Sequence, residues 1–201
     1  MSDFLDNLFK DKELNRNLPF PEQNDVPQYS YNAKEVLDHA TLHPDLSYQG
    51  TELTLGDDQF KAAKGILEWL YENPKYRAPF KRLSGSAGTG KSALISYLLQ
   101  AREEIFPKYM RNRPVAVCTY TWKAALVLKS RNVDACSIHS IFYKPNGDNE
   151  TGVTFERVPA VDIRETYSMI IVDEASMVDS SIRYDIESIG LPVLYVGDSA
   201  Q

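Results

Sequence analysis

Between Phe80 and Ile105 the chain carries a short mixed stretch, then Gly85-Ser-Ala-Gly-Thr-Gly-Lys-Ser92, then apolar residues at helical spacing from Ala93. The middle segment fits the phosphate-loop pattern G-x-x-x-x-G-K-[ST], which requires a strand before it and a helix after it. Gly85 and Gly90 hold the pattern positions, Gly88 adds backbone freedom, and Gly85, Gly88, Thr89 and Gly90 are candidate nucleotide contacts along with Lys91 and Ser92. Glycines let the backbone wrap closely around an anion, so that amide N–H groups and the helix N-terminus point at it. In such a loop Lys91 is a point charge on the outer phosphates of a nucleotide, and the Ser92 hydroxyl is a ligand for the accompanying Mg²⁺. Phe80–Ser84 supplies the strand, although Lys81 and Arg82 make it more polar than a buried parallel strand usually is.

Ahead of that strand, Leu55-Gly-Asp-Asp-Gln59 opens a helix reaching to about Tyr71, with Phe60, Ala63, Ile66, Leu67 and Leu70 on one face and Asp57 or Asp58 as cap. Gln59 admits two readings: an exposed first-turn glutamine, or an amide that pairs with the edge atoms of adenine. Pro74 to Pro79 ends the helix. Residues 1–52, rich in Asp, Asn, Pro and Tyr without a sustained period, read as a loosely ordered extension or docking tail, with a short helix over Asn32–His39.

Downstream, Pro114–Thr119 reads as a buried strand, Thr121–Ser130 as a helix and Ala135–Tyr143 as a short helix. Lys144–Gly152 reads as a loop and Val153–Val158 as an extra strand. Met169-Ile-Ile-Val172 is an apolar strand ending in Asp173-Glu174, one carboxylate suited to hold Mg²⁺ through its water shell and one to deprotonate an attacking water. A helix over Ser180–Ile189, a strand over Leu191–Val196 and the loop Gly197-Asp-Ser-Ala-Gln201 follow. Alternating strands and helices imply a parallel sheet flanked by helices, with ligands at the strand C-termini.

Composition excludes little. A net charge of −6 gives no global pull toward nucleic acid, yet a local groove can differ in sign from the whole protein. Cys118 and Cys136 have neither metal-ligand spacing nor a framework to staple. With no apolar run of membrane-spanning length and no export signal, the sequence reads as a cytoplasmic protein without a membrane partner.

Taken together, six blocks resemble the first motor domain of superfamily 1 DNA helicases of the RecD and Dda-like branch, over about Leu53–Gln201. They are Leu55–Gln59, Gly85–Ser92, Thr119-Tyr-Thr-Trp-Lys-Ala-Ala125, Cys136-Ser-Ile-His-Ser-Ile141, Asp173-Glu-Ala-Ser176 and Gly197–Gln201. The resemblance implies a RecA-like phosphate-loop fold using ATP and Mg²⁺. Gln59 would then contact adenine, Glu174 act as base, Asp173 serve the metal, and Gln201 sense the terminal phosphate. Thr121, Trp122, Lys123 and His139 would contact single-stranded DNA. Tyr120 stands where the family has Pro, and Trp122 either stacks on a base or packs on the domain; Lys123 and His139 are equally readable as a solvated and a structural residue.

The function implied is 5′ to 3′ DNA unwinding driven by ATP, with replication or recombination proteins as further partners. The family's second motor domain has no counterpart before Gln201. The reading is therefore of an N-terminal part that binds nucleotide, hydrolyses it poorly alone and unwinds nothing. The rivals are another phosphate-loop ATPase indifferent to DNA, and a non-catalytic nucleotide- and DNA-binding module.

Overall fold

The computed structural model describes residues 47–48, 51–52, 55–72, 74–75, 77–146 and 154–198. The helix expected over Asn32–His39, most of the N-terminal extension, and Gln201 lie outside them. The described part of that extension forms a small antiparallel pair, β1 (Ser47–Tyr48) with β2 (Thr51–Glu52), where no regular structure was expected.

Helix α1 (Asp57–Tyr71) leads to β3 (Phe80–Ser84), and after the glycine loop come α2 (Lys91–Gln100), α3 (Arg102–Ile105) and α4 (Lys108–Arg111). Then follow β4 (Val115–Thr119), α5 (Trp122–Lys129), β5 (Ala135–Ser137), α6 (Ile138–Phe142), β6 (Tyr143–Asn146) and β7 (Thr154–Arg157). The described chain closes with α7 (Ala160–Thr166), β8 (Met169–Asp173), a 3₁₀ turn at Ala175–Met177, α8 (Ser180–Glu187) and β9 (Val193–Gly197).

Five strands form one parallel sheet in the order β3-β9-β8-β4-β5. Alternate residues along each strand point to opposite faces, and both faces are covered. Val117, Met169, Ile171, Leu194 and Val196 pack against α1, α2 and α5; Ala116, Cys118, Ile170, Val172, Val193 and Tyr195 pack against α6, α7 and α8. This is the expected α/β, RecA-like layering, and it carries every strand C-terminus to one edge.

The polarity of β3 has a direct cause: among the described strands it pairs only with β9, at the sheet margin. The end of the Lys81 side chain passes over Gly65 of α1, where an added Cβ would stand 3.8 Å from Cε and Nζ, and the Arg82 guanidinium sits 5.6 Å above the Phe80 ring. An edge strand keeps such side chains partly in water, as a central one does not.

Several boundaries differ from expectation. The helix after the loop begins at Lys91 and breaks at Ala101 instead of running from Ala93 to Ile105. Ala135–Ser137 joins the sheet beside β4 before the helix expected over Ala135–Tyr143 begins. Tyr143–Asn146, expected within a loop apart from its first residue, pairs antiparallel with β7, the extra strand expected there. Neither Asp57 nor Asp58 caps α1; Gly56 is the N-cap, and its N–H donates to Gln59 Oε1 at 3.0 Å.

Candidate functional site

The glycine loop leaves β3 and turns into α2 through two left-handed residues, Gly88 at φ 80° and Gly90 at φ 81°. That conformation is costly for residues with a Cβ, which accounts for glycine at both positions. A side chain on Gly85 would meet Thr89 Oγ1 at 2.9 Å, whereas one on Gly88 would enter open space. The loop is therefore tight within and open outward. Thr89 closes it with its hydroxyl, which donates to Ser86 O at 2.9 Å. The Lys91 ammonium folds over the loop and donates to the carbonyls of Gly85 and Ser86. Leu94 N bonds Gly90 O at 2.9 Å, so the amides of Lys91, Ser92 and Ala93 precede the first α-helical bond and face the loop.

Gln59 is half-buried and reaches this loop. Its Nε2 donates to Gly90 O at 3.2 Å while its Oε1 accepts from Gly56 N–H. One amide thus spans the start of α1 and the start of α2. It still holds one N–H and one lone pair for a ligand.

Asp173 ends β8 on the same edge, and its Oδ1 accepts from Glu174 N–H at 3.0 Å. Burial pushes the Asp173 carboxyl above the usual carboxylate range, opposed by that hydrogen bond and by the positive charges of Lys91 and Arg131. Glu174 is exposed and left-handed, at φ 54° and ψ 40°. A non-glycine residue held there stores about 1–3 kcal/mol of strain, a feature concentrated at functional sites. Nothing in the residue types announced it. The loop after β9 also comes to the site: Gly197 O accepts from Gly85 N–H at 3.3 Å.

The candidate DNA residues stand beyond β8, at the ends of β4 and β5. Thr119 is the register partner of Asp173, and its hydroxyl donates to Thr121 O at 2.7 Å. Thr121 caps α5, its Oγ1 accepting from Ala124 N–H at 3.2 Å, and keeps its hydroxyl hydrogen for an acceptor. Trp122 is 53% exposed, with Lys129 Nζ 5.4 Å above its ring, and Lys123 is exposed. His139 is exposed on α6. The structure thus gathers Gln59, the glycine loop, Asp173 and Glu174 at one part of the edge. Thr121, Trp122, Lys123 and His139 lie at the neighbouring part.

Comparison with protein families matches residues 73–201 to the AAA domain. The chain belongs to the AAA domain family. Comparison with curated proteins found no match. Among solved structures, a Bacteroides Pif1 in complex with ADP-AlF4 aligns with this AAA domain at 19% identity and TM-score 0.49, over 74% of this chain and 33% of the other. The Pif1 helicase from Candida albicans aligns at 22% identity and TM-score 0.47, over 74% and 34%. The large terminase of bacteriophage HK97 aligns at 15% identity and TM-score 0.50, over 83% and 37%, a likeness of fold alone. The chain spans about a third of the length of these proteins.

The loop of this AAA domain suits a polyphosphate: open space outside Gly88, an ammonium across the loop and first-turn amides facing it. Among the described residues no cluster of three or more His, Cys, Asp or Glu is built to hold a metal ion. Gly90→Ala tests the tightness of the loop. The new methyl would stand 2.4 Å from Gln59 Nε2 at a positive φ. The expected result is a stability loss of about 1–3 kcal/mol in chemical denaturation, with loss of nucleotide binding. An unchanged denaturation midpoint would mean that the Gln59 bridge does not hold the loop.

Asp173→Asn should do the opposite to the fold. The folded chain holds the Asp173 proton more tightly than the unfolded chain does, so its stability contribution is full below the ordinary carboxylate pKa. That contribution is lost as pH rises through the raised one. At neutral pH the desolvated charge is a net cost, and Asn removes it. A melting midpoint raised by roughly 2 °C is expected without nucleotide, and a smaller Mg-dependent shift with it. A lowered midpoint in the absence of ligand would contradict the burial argument.

Proposed function

We propose that this chain is the nucleotide-binding motor domain, residues 53–201, of an ATP-dependent DNA helicase that moves 5′ to 3′ along a single strand. The observation carrying this reading is the shared sheet edge: the lysine-closed glycine loop and Asp173-Glu174 lie beside the exposed Trp122, Lys123 and His139, linked through the pair Thr119 and Asp173. Membership of the AAA domain family supports nucleotide use. No helix among the described residues is long and apolar enough to cross a membrane. A cytoplasmic setting with replication, repair or recombination proteins as partners belongs to the same proposal.

ATP is the substrate. Lys91 and the amides before Leu94 hold its outer phosphates, and Gln59 offers its remaining donor and acceptor to adenine. Ser92 and Asp173 would hold Mg²⁺, which when bound neutralises charge on the phosphates. Glu174 takes the proton of the attacking water, and Gln201 senses the terminal phosphate. Thr119 bonds the carbonyl of Thr121 and is the register partner of Asp173, which sets the nucleotide side of the edge next to the residues that would hold DNA.

The test is ATP turnover by the chain with and without oligothymidine. Stimulation by the strand is expected. Turnover indifferent to the strand would favour another phosphate-loop ATPase, and nucleotide and strand binding without turnover a non-catalytic module.

A further inference from the structure

A second feature of this edge joins His139, expected to contact DNA, to two tyrosines that were not. Three rings from three elements form a row: Tyr120 after β4, His139 on α6 and Tyr143 at the start of β6. The Tyr120 and His139 centroids lie 6.4 Å apart at 69°, and those of His139 and Tyr143 lie 5.4 Å apart at 32°. His139 is exposed, while Tyr120 and Tyr143 are half-buried and pack against the core, so the row is rooted there and reaches the surface at His139.

The row is also held in place. Tyr143 OH donates to Asp185 Oδ2 at 2.6 Å, and Asp185 is paired with Arg157 at 2.9 Å. Arg157 further donates to Ser188 Oγ at 2.7 Å, at the C-cap of α8. Burial and the Asp185 carboxylate push the Tyr143 hydroxyl up to about 12, so it stays a donor at neutral pH. The root of the β6–β7 hairpin is thereby fixed to α8, and the last ring of the row with it.

We propose that Tyr120, His139 and Tyr143 form a stacking step for the bases of a single nucleic-acid strand, with Asp185 as the positioning residue that sets the angle of the last ring. The inference rests on the motor reading above and deepens it, by assigning base-face contact to three further rings beside Trp122, for which stacking was already one reading. Flat rings tolerate any base, because every base offers a π-face, while lysines such as Lys123 attract the backbone without regard to base. A strand crossing from Trp122 toward the hairpin meets the row in the order Tyr120, His139, Tyr143. His139, the exposed ring of the three, offers a base the most surface.

The experiment compares two strands of equal length and charge, oligothymidine and the same backbone without bases, by fluorescence anisotropy with the full chain. Wild type should bind the thymidine strand about five-fold or more tightly, the lower end of what one base stacked on an aromatic ring contributes. In Tyr120→Ala and His139→Ala the two affinities should converge. Asp185→Asn weakens the Tyr143 anchor but keeps all three rings; it should reduce the preference without abolishing it. Because each variant is its own control on the baseless strand, a partly unfolded variant lowers both affinities and leaves their ratio intact. A wild-type preference that survives in both ring variants overturns the proposal and leaves the motor reading standing. No binding of either strand by wild type overturns both.

Discussion

Lys91→Ala should lower the affinity for Mg-ATP by about a hundredfold or more. Two charge-assisted hydrogen bonds at roughly 1.5–3 kcal/mol each account for that factor. In the structure the ammonium already lies across the loop, held by the carbonyls of Gly85 and Ser86. Those two acceptors position the cation and carry partial negative charge. Without the lysine they would face an incoming phosphate uncompensated, so the loss exceeds that of a surface cation. The fold should survive, because Lys91 is the first residue of α2, where alanine is a good helix former, and only half-buried. The check is a titration with a fluorescent ATP analogue, paired with thermal melts in saturating Mg-ATP. Ligand at a hundred times its dissociation constant stabilises wild type by about 2.7 kcal/mol, and the variant should show almost none of that shift. Asp173 offers a second readout: removing a cation that lowers its pKa should raise its proton affinity further. Binding within about threefold of wild type would mean that the loop is not the phosphate seat.

The loop was legible because it is local: eight consecutive residues dictate a turn, and the strand and helix at its flanks are periodic enough to read. The central strands were legible for the same reason, each an unbroken apolar run buried on both faces. What could not be read depended on distant neighbours. Lys81 and Arg82 looked out of place until the margin of the sheet supplied the solvent for them. Ala135–Ser137 is too short to show a period, and it is a strand only because β4 offers it an edge. Pro145 argues against a strand in sequence, yet it is tolerated in the pair with β7, where among the described residues one side of each strand lacks a partner. Gln59 was ambiguous in its own helix; the tie to Gly90, thirty-one residues later, makes it part of the loop. The aromatic row joins three elements, and no single segment contains the signal for it.

The same contrast bears on how the two parts of the edge communicate. Asp173 and Thr119 are register partners on adjacent central strands, and such strands move little relative to each other in a packed core. A change at Asp173 is therefore better transmitted by the loops than by the strands. The 3₁₀ turn at Ala175–Met177 is a candidate: its start is the strained Glu174, and its end leads through Asp179, the cap of α8, to the helix that anchors Tyr143. Relaxation of Glu174 would shift α8 and, with it, the root of the hairpin.

Glu174→Gln should retain nucleotide binding and lose turnover, by a hundredfold to ten-thousandfold, the range that a positioned general base contributes. Glutamine matches glutamate in size and keeps the same backbone preference, so the left-handed turn and its bond from Met177 N–H to Glu174 O should persist. What disappears is the ability to accept a proton at an exposed position beside Asp173. Single-turnover hydrolysis with protein in excess of ATP resolves even a slow rate, and the Mg-ATP affinity should stay within about threefold. Glu174→Gly separates side-chain chemistry from backbone geometry. Glycine adopts φ 54° without penalty, which releases strain but costs about 0.4–1 kcal/mol through the greater freedom of the unfolded chain. Its stability should therefore equal or exceed that of wild type, while its turnover falls with that of the glutamine variant. Equal loss in both variants, with glycine as stable as wild type, assigns the role to the carboxylate. Full turnover in Glu174→Gln would leave the strained residue as a hinge and require the proton to be taken elsewhere.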